Sequence, residues 1–73
     1  MATYIKVDYR WVGSMSFNWA SLDTNVSEIQ AESMPEAEYY ESNDPWNSQG
    51  TEYFSTLDEA NAWIESERSN EVV

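Results

Sequence analysis

The chain has no cysteine, no histidine, only two glycines and two prolines, and three basic residues among 73. Without cysteine there are no disulfides, thiolate metal sites or thiol nucleophiles. Without histidine the usual general base and the commonest metal ligand at neutral pH are missing. Lys6 is the sole lysine and no glycine-rich phosphate loop is present, which removes support for nucleotide hydrolysis and Schiff-base chemistry. The N-terminal residues show neither a basic segment nor a long apolar run, so the expected location is the cytoplasm. A chain this short forms one small domain, with little material to wall a deep cleft. A non-enzymatic protein without cofactor or metal is therefore expected.

Hydrophobic residues make up 41% of the chain and aromatics 15%, too rich a composition for a disordered acidic tail. Residues 4–12 alternate, with Ile5, Val7, Tyr9 and Trp11 on one side and Tyr4, Lys6, Asp8 and Arg10 on the other, the pattern of a half-buried strand. Alternation resumes after Gly13-Ser14 through Phe17 and Trp19, which predicts a hairpin with a loop over residues 12–14. In that register Trp11 faces Met15, Tyr9 faces Phe17 and Val7 faces Trp19. Leu22, Val26 and Ile29 have helical spacing behind the N-cap candidates Asp23 and Thr24, which predicts a short helix over residues 24–32. Residues 37–42 and 51–55 read as strands on either side of turn chemistry around Trp46, whose loop is expected to be exposed.

Thr56-Leu57-Asp58-Glu59 is the clearest helix start: a threonine N-cap with glutamate three residues on. Leu57, Ala60, Trp63 and Ile64 form its apolar stripe, and Arg68 closes it. Residues 69–73 are expected to fray. The resulting architecture is α+β: a small antiparallel sheet of three or four strands with a C-terminal helix packed on one face. Tyr9, Trp11, Phe17, Trp19 and Trp63 are assigned to the core. Residues 51–55 are a candidate exposed edge through which two copies pair.

Fourteen acids against three bases leave a net charge of -11, more than the magnitude of about 2–8 that keeps a small domain soluble. No base lies between Arg10 and Arg68. Carboxylate-pair catalysis needs a cleft, and no segment carries the alternating acids, central glycine and terminal glutamate of a calcium loop. Such a charge repels phosphate backbones and anionic lipid, so direct nucleic-acid or membrane binding is disfavoured and the expected partner is a basic protein or nucleic-acid-binding complex. A row of evenly spaced carboxylates resembles a phosphate backbone and would occupy the groove of such a partner. Glu28, Glu32, Glu36, Glu38, Glu41 and Asp44 crowd one stretch and are the candidate contact residues.

Small, cysteine-free, strongly acidic domains of this kind resemble the inhibitors that bacteriophages deploy against restriction and CRISPR systems, some of which act as DNA mimics. The resemblance implies an inhibitor at work in a host cytoplasm; it carries no site residue. A second reading uses Tyr39, Tyr40 and Trp46 as hydrophobic anchors of a protein–protein interaction module, with the acids as a soluble rim. A third, a sugar- or ligand-binding domain, requires a pocket lined by aromatics.

Overall fold

In the computed structural model, which describes residues 1–14, 16–40 and 47–71, four strands precede one helix. They are β1 (Ala2–Ser14), β2 (Trp19–Ala31), β3 (Glu38–Tyr40) and β4 (Ser48–Phe54), followed by α1 (Leu57–Arg68). The sheet is wholly antiparallel in the order β2-β1-β4-β3. The small α+β architecture expected from the sequence is present. The sheet core is a hairpin of two 13-residue strands, β1 and β2, whose register runs unbroken from Ala2 opposite Ala31 to Ser14 opposite Trp19.

This hairpin differs from the one expected. Residues 12–14 lie in β1 and the turn is at residues 16–18, so Trp11 faces Leu22, Tyr9 faces Thr24 and Val7 faces Val26. Asn18 supplies the left-handed backbone at φ 51°, a conformation that asparagine adopts more readily than most residues. Gly13 instead lies within β1 opposite Ala20. A Cβ there would sit 2.5 Å from the Trp19 carbonyl oxygen, so glycine serves close strand approach.

The helix expected over residues 24–32 is strand β2. Thr24, Asn25, Val26, Ser27 and Ile29 are poor helix formers, and pairing along β1 decides the outcome. Their helical spacing is coincidental: Val26 shares the face of Val7, whereas Ile29 pairs with Tyr4 on the other face.

α1 begins as expected. The Thr56 hydroxyl accepts from the Glu59 amide at 3.2 Å, and the Glu59 carboxylate accepts from the Ser55 amide at 3.3 Å. Ala60 and Ile64 pack on Ile5 and Val7, with Phe54 and Trp63 beside them. Val7 is fully buried. Tyr9, Trp63 and Phe54 form a tilted aromatic series with centroids 5.1 and 5.8 Å apart. Gly50, opposite Tyr9, leaves room for this ring: a Cβ would meet the Tyr9 hydroxyl at 2.5 Å and Cζ at 2.8 Å.

Several core assignments need correction. Phe17 is 81% exposed in the turn and Trp19 is 38% exposed at its edge, because β1 and β2 run on past β4, which reaches only as far as Trp11. Leu57 is exposed at the first turn of the helix. Residues 51–54 belong to β4, where Thr51 pairs with Glu38 of β3, so the expected edge is covered at Thr51, while Glu52, Tyr53 and Phe54 pair with β1 alone among the described residues.

The chain end is not frayed up to Glu71. Its carboxylate accepts from the Leu22 amide at 3.0 Å, while Arg68 donates to the Leu22 carbonyl at 3.2 Å. The two side chains lie 3.7 Å apart, and a second Arg68 nitrogen reaches the Thr24 hydroxyl at 3.4 Å. Together they clip the helix end to the outer edge of β2.

Candidate functional site

The side-chain period of two sorts the strand residues between the two faces of the sheet. Ile5, Val7 and Tyr9 face α1, as do their register partners Glu28, Val26 and Thr24 on β2 and Phe54, Glu52 and Gly50 on β4. Lys6, Asp8 and Arg10 face the other way. Across the helix-free face run two polar rows, Asp23-Arg10-Gln49-Tyr40 and Asn25-Asp8-Thr51-Glu38.

The two sides carry unequal charge. On the helix-free face Lys6 and Arg10 sit among Asp8, Asp23 and Glu38, and Lys6 lies 4.0 Å from Asp8. The Asp8 carboxylate accepts from the buried Thr51 hydroxyl at 2.8 Å. The helix side holds Glu28, Glu52, Asp58, Glu59, Glu65, Glu67 and Glu71, with Arg68 as its one base among the described residues. Asp58, Glu59 and Glu65 are exposed, so the anionic surface faces solvent. Burial, followed by the charge of Glu52, Tyr39 and Glu67, pushes the Tyr9 phenol above its ordinary value of 10.0.

The residues singled out from the sequence do not share one face. Glu28 lies on the helix side at the β2 edge. Glu38 lies on the helix-free face of β3, at the opposite edge. Glu32 and Glu36 are exposed in the connection between these strands, and β3 begins at Glu38, one residue later than expected. Tyr39 and Tyr40 are 59% and 63% exposed, but strand alternation sends them to opposite faces. Glu41, Asp44 and Trp46, with the exposed loop expected around Trp46, lie outside the described residues.

An open depression of about 390 Å³ is lined by Asp8, Arg10, Asp23, Asn25, Gln49 and Thr51 together with Tyr9 and Tyr40. Two aromatics thus border it within a mixed polar and apolar lining, short of the fully aromatic-lined pocket that a sugar-binding reading requires. Among the described residues no three carboxylates converge to hold a metal ion, and no helix is long and apolar enough to cross a membrane.

Sequence reasoning missed two features that bear on binding. The anionic side became visible only once β2 and β4 had their register, which gives Glu28 and Glu52 the same side as the helix acids. The second feature is the hairpin end: no charge falls between Arg10 and Asp23, and Trp11, Phe17, Trp19 and Leu22 all lie there. That signal was present in the sequence, masked by assignment of its aromatics to the core. Comparison of the chain with protein-family models, curated proteins and solved structures finds no match.

Proposed function

We propose that this chain is a non-enzymatic acidic inhibitor that binds, through its helix side, a basic nucleic-acid-binding surface of another protein or complex and competes there with the nucleic acid. The observation that carries this reading is the sorting of charge, with seven carboxylates and one guanidinium on the helix side against a nearly balanced helix-free face. A polarised anion steers itself onto a basic groove and arrives in one orientation.

The molecule is 46 × 23 × 13 Å, longer than the roughly 29 Å that a compact chain of this length implies. Eleven net charges over 46 Å give one per about 4 Å, compared with one per about 1.7 Å of duplex axis. Mimicry of DNA here is thus a matter of one charged side, at lower density than a duplex. Inhibitors of restriction or CRISPR complexes are the class this reading favours.

Capture from host lysate tests it. The immobilised chain should retain a basic nucleic-acid-binding protein that high salt releases and added duplex DNA displaces. A retained partner indifferent to both salt and DNA contradicts the proposal.

A second reading rests on the uncharged hairpin end, where Phe17 is 81% exposed. There Phe17 anchors in an apolar pocket of a partner, Phe17→Ala costs about 2 kcal/mol or more of binding, and salt changes affinity little.

A further inference from the structure

We propose that the outer edge of β2 pairs antiparallel with the same edge of a second copy of this chain, centred on Val26, to make a continuous eight-stranded sheet. The strand order leaves β2 with a neighbour on one side only. Which backbone groups point outward follows from the clip at Leu22, whose amide and carbonyl are taken by Glu71 and Arg68 rather than by β1. Along an antiparallel ladder the direction alternates, so Thr24, Val26, Glu28 and Gln30 also turn their N–H and C=O groups away from β1. Beyond Leu22, no backbone hydrogen bond reaches these groups among the described residues.

This edge lacks the usual protections. It carries no proline, its register with β1 has no bulge, and the clip takes up backbone groups at Leu22 alone, reaching Thr24 only through its hydroxyl. Val26, at its middle, is 40% exposed on the helix side.

Charge selects the register. Centring on Val26 pairs Thr24, Val26 and Glu28 with Glu28, Val26 and Thr24 of the second copy, and Asp23 with Ile29. No acid then faces an acid. Centring on Glu28 instead sets two glutamates opposite each other, and centring on Thr24 sets each clipped Leu22 opposite Val26 in the middle of the contact, whereas in the Val26 register Leu22 stands opposite Gln30 at its ends. In the Val26 register each Glu28 arrives beside the other copy's Thr24, whose hydroxyl lies 3.4 Å from an Arg68 nitrogen. Arg68 is the base on this side of the molecule, and the two-fold brings it to an acid twice. The two valines meet on the helix side between these ion pairs. Because the axis is normal to the sheet, both helices stay on one side and the anionic surface is doubled, although the pairing does not depend on the proposed inhibitory function.

Sedimentation equilibrium of the full chain tests the proposal. The apparent mass should rise from one chain to two as concentration increases towards millimolar. Val26→Pro replaces an N–H that points away from β1, so the far-UV spectrum should be unchanged while the mass stays that of one chain. Glu28→Arg, facing Arg68, should raise the dissociation constant about tenfold. A wild-type chain that stays single at millimolar concentration overturns the proposal, as does a folded Val26→Pro variant that still dimerises. Should that variant unfold, amide exchange in the wild type decides: Val26 and Glu28 amides should slow as concentration rises, and concentration-independent exchange overturns the pairing.

Discussion

Tyr9 joins the core, the sheet and the charge of this molecule through one side chain. Its ring lies tilted against Trp63 and close over Gly50, and the charges of Glu52 and Glu67 add to burial in raising its phenol pKa. Gly50→Ala would drive a methyl into that ring and into the Glu38 carbonyl oxygen. The expected loss is about 1–3 kcal/mol of stability, read as a lower urea midpoint at unchanged slope.

The raised Tyr9 pKa has a defined sign. A phenol that is harder to ionise in the folded state holds its proton while the unfolded chain loses it. Stability is therefore unaffected below about pH 10 and falls as pH rises through the unfolded value towards the folded one. Thermal melts at increasing alkaline pH should show this fall in the wild type and a smaller one in Tyr9→Phe; equal slopes in the two would refute the assignment. Helical spacing placed Trp63 against the core, and strand alternation placed Tyr9 on the helix side beside it, where both are half-buried. Alternation failed for Phe17, where it continues past the point at which β4 stops covering the sheet.

Among the elements, α1 was legible because its start signals are local: Thr56 and Glu59 satisfy nearby amides whatever the sheet does. β2 was not, because its identity depends on 13 residues of pairing with β1, and that register turns on Asn18 rather than on the nearby glycine. The Thr51 strand was legible as a strand but not as an interior one, since strand order is a property of the whole sheet.

The end of α1 adds a contact the sequence did not reveal. Arg68 and Glu71 stand three residues apart, a spacing that reads as a surface ion pair, yet both reach the Leu22 backbone. Arg68→Ala should cost about 1 kcal/mol, given the partial exposure of the pair. Hydrogen exchange should show faster opening at the end of α1 than at its Thr56 cap; uniform acceleration along the helix would show that the clip is not local. Thr56→Ala, by comparison, should cost about 0.5–2 kcal/mol through the lost cap, measured by thermal melting.

At the scale of the whole molecule, acidity becomes informative only after folding. Fourteen acids in a list suggested one crowded stretch from Glu28 to Asp44; the sheet instead divides Glu28 from Glu38 and joins Glu28 and Glu52 to the helix acids. The bases in β1 lie among the acids of the helix-free face, and Arg68 lies beside Glu71. The unbalanced remainder lies where solvent or a cationic partner neutralises it.

The helix side is the binding surface proposed for this chain. The most direct measurement compares partner capture by the wild type, by Asp58→Lys/Glu65→Lys on the helix side, and by Asp23→Lys on the helix-free face, at low and high salt. Asp58 and Glu65 are exposed and take no part in the Thr56 cap or the Leu22 clip. Loss of capture in the double variant with retention in Asp23→Lys is the predicted result, with the salt dependence of the wild type much steeper than that of whatever binding the double variant keeps. Undiminished capture by a folded double variant contradicts the claim.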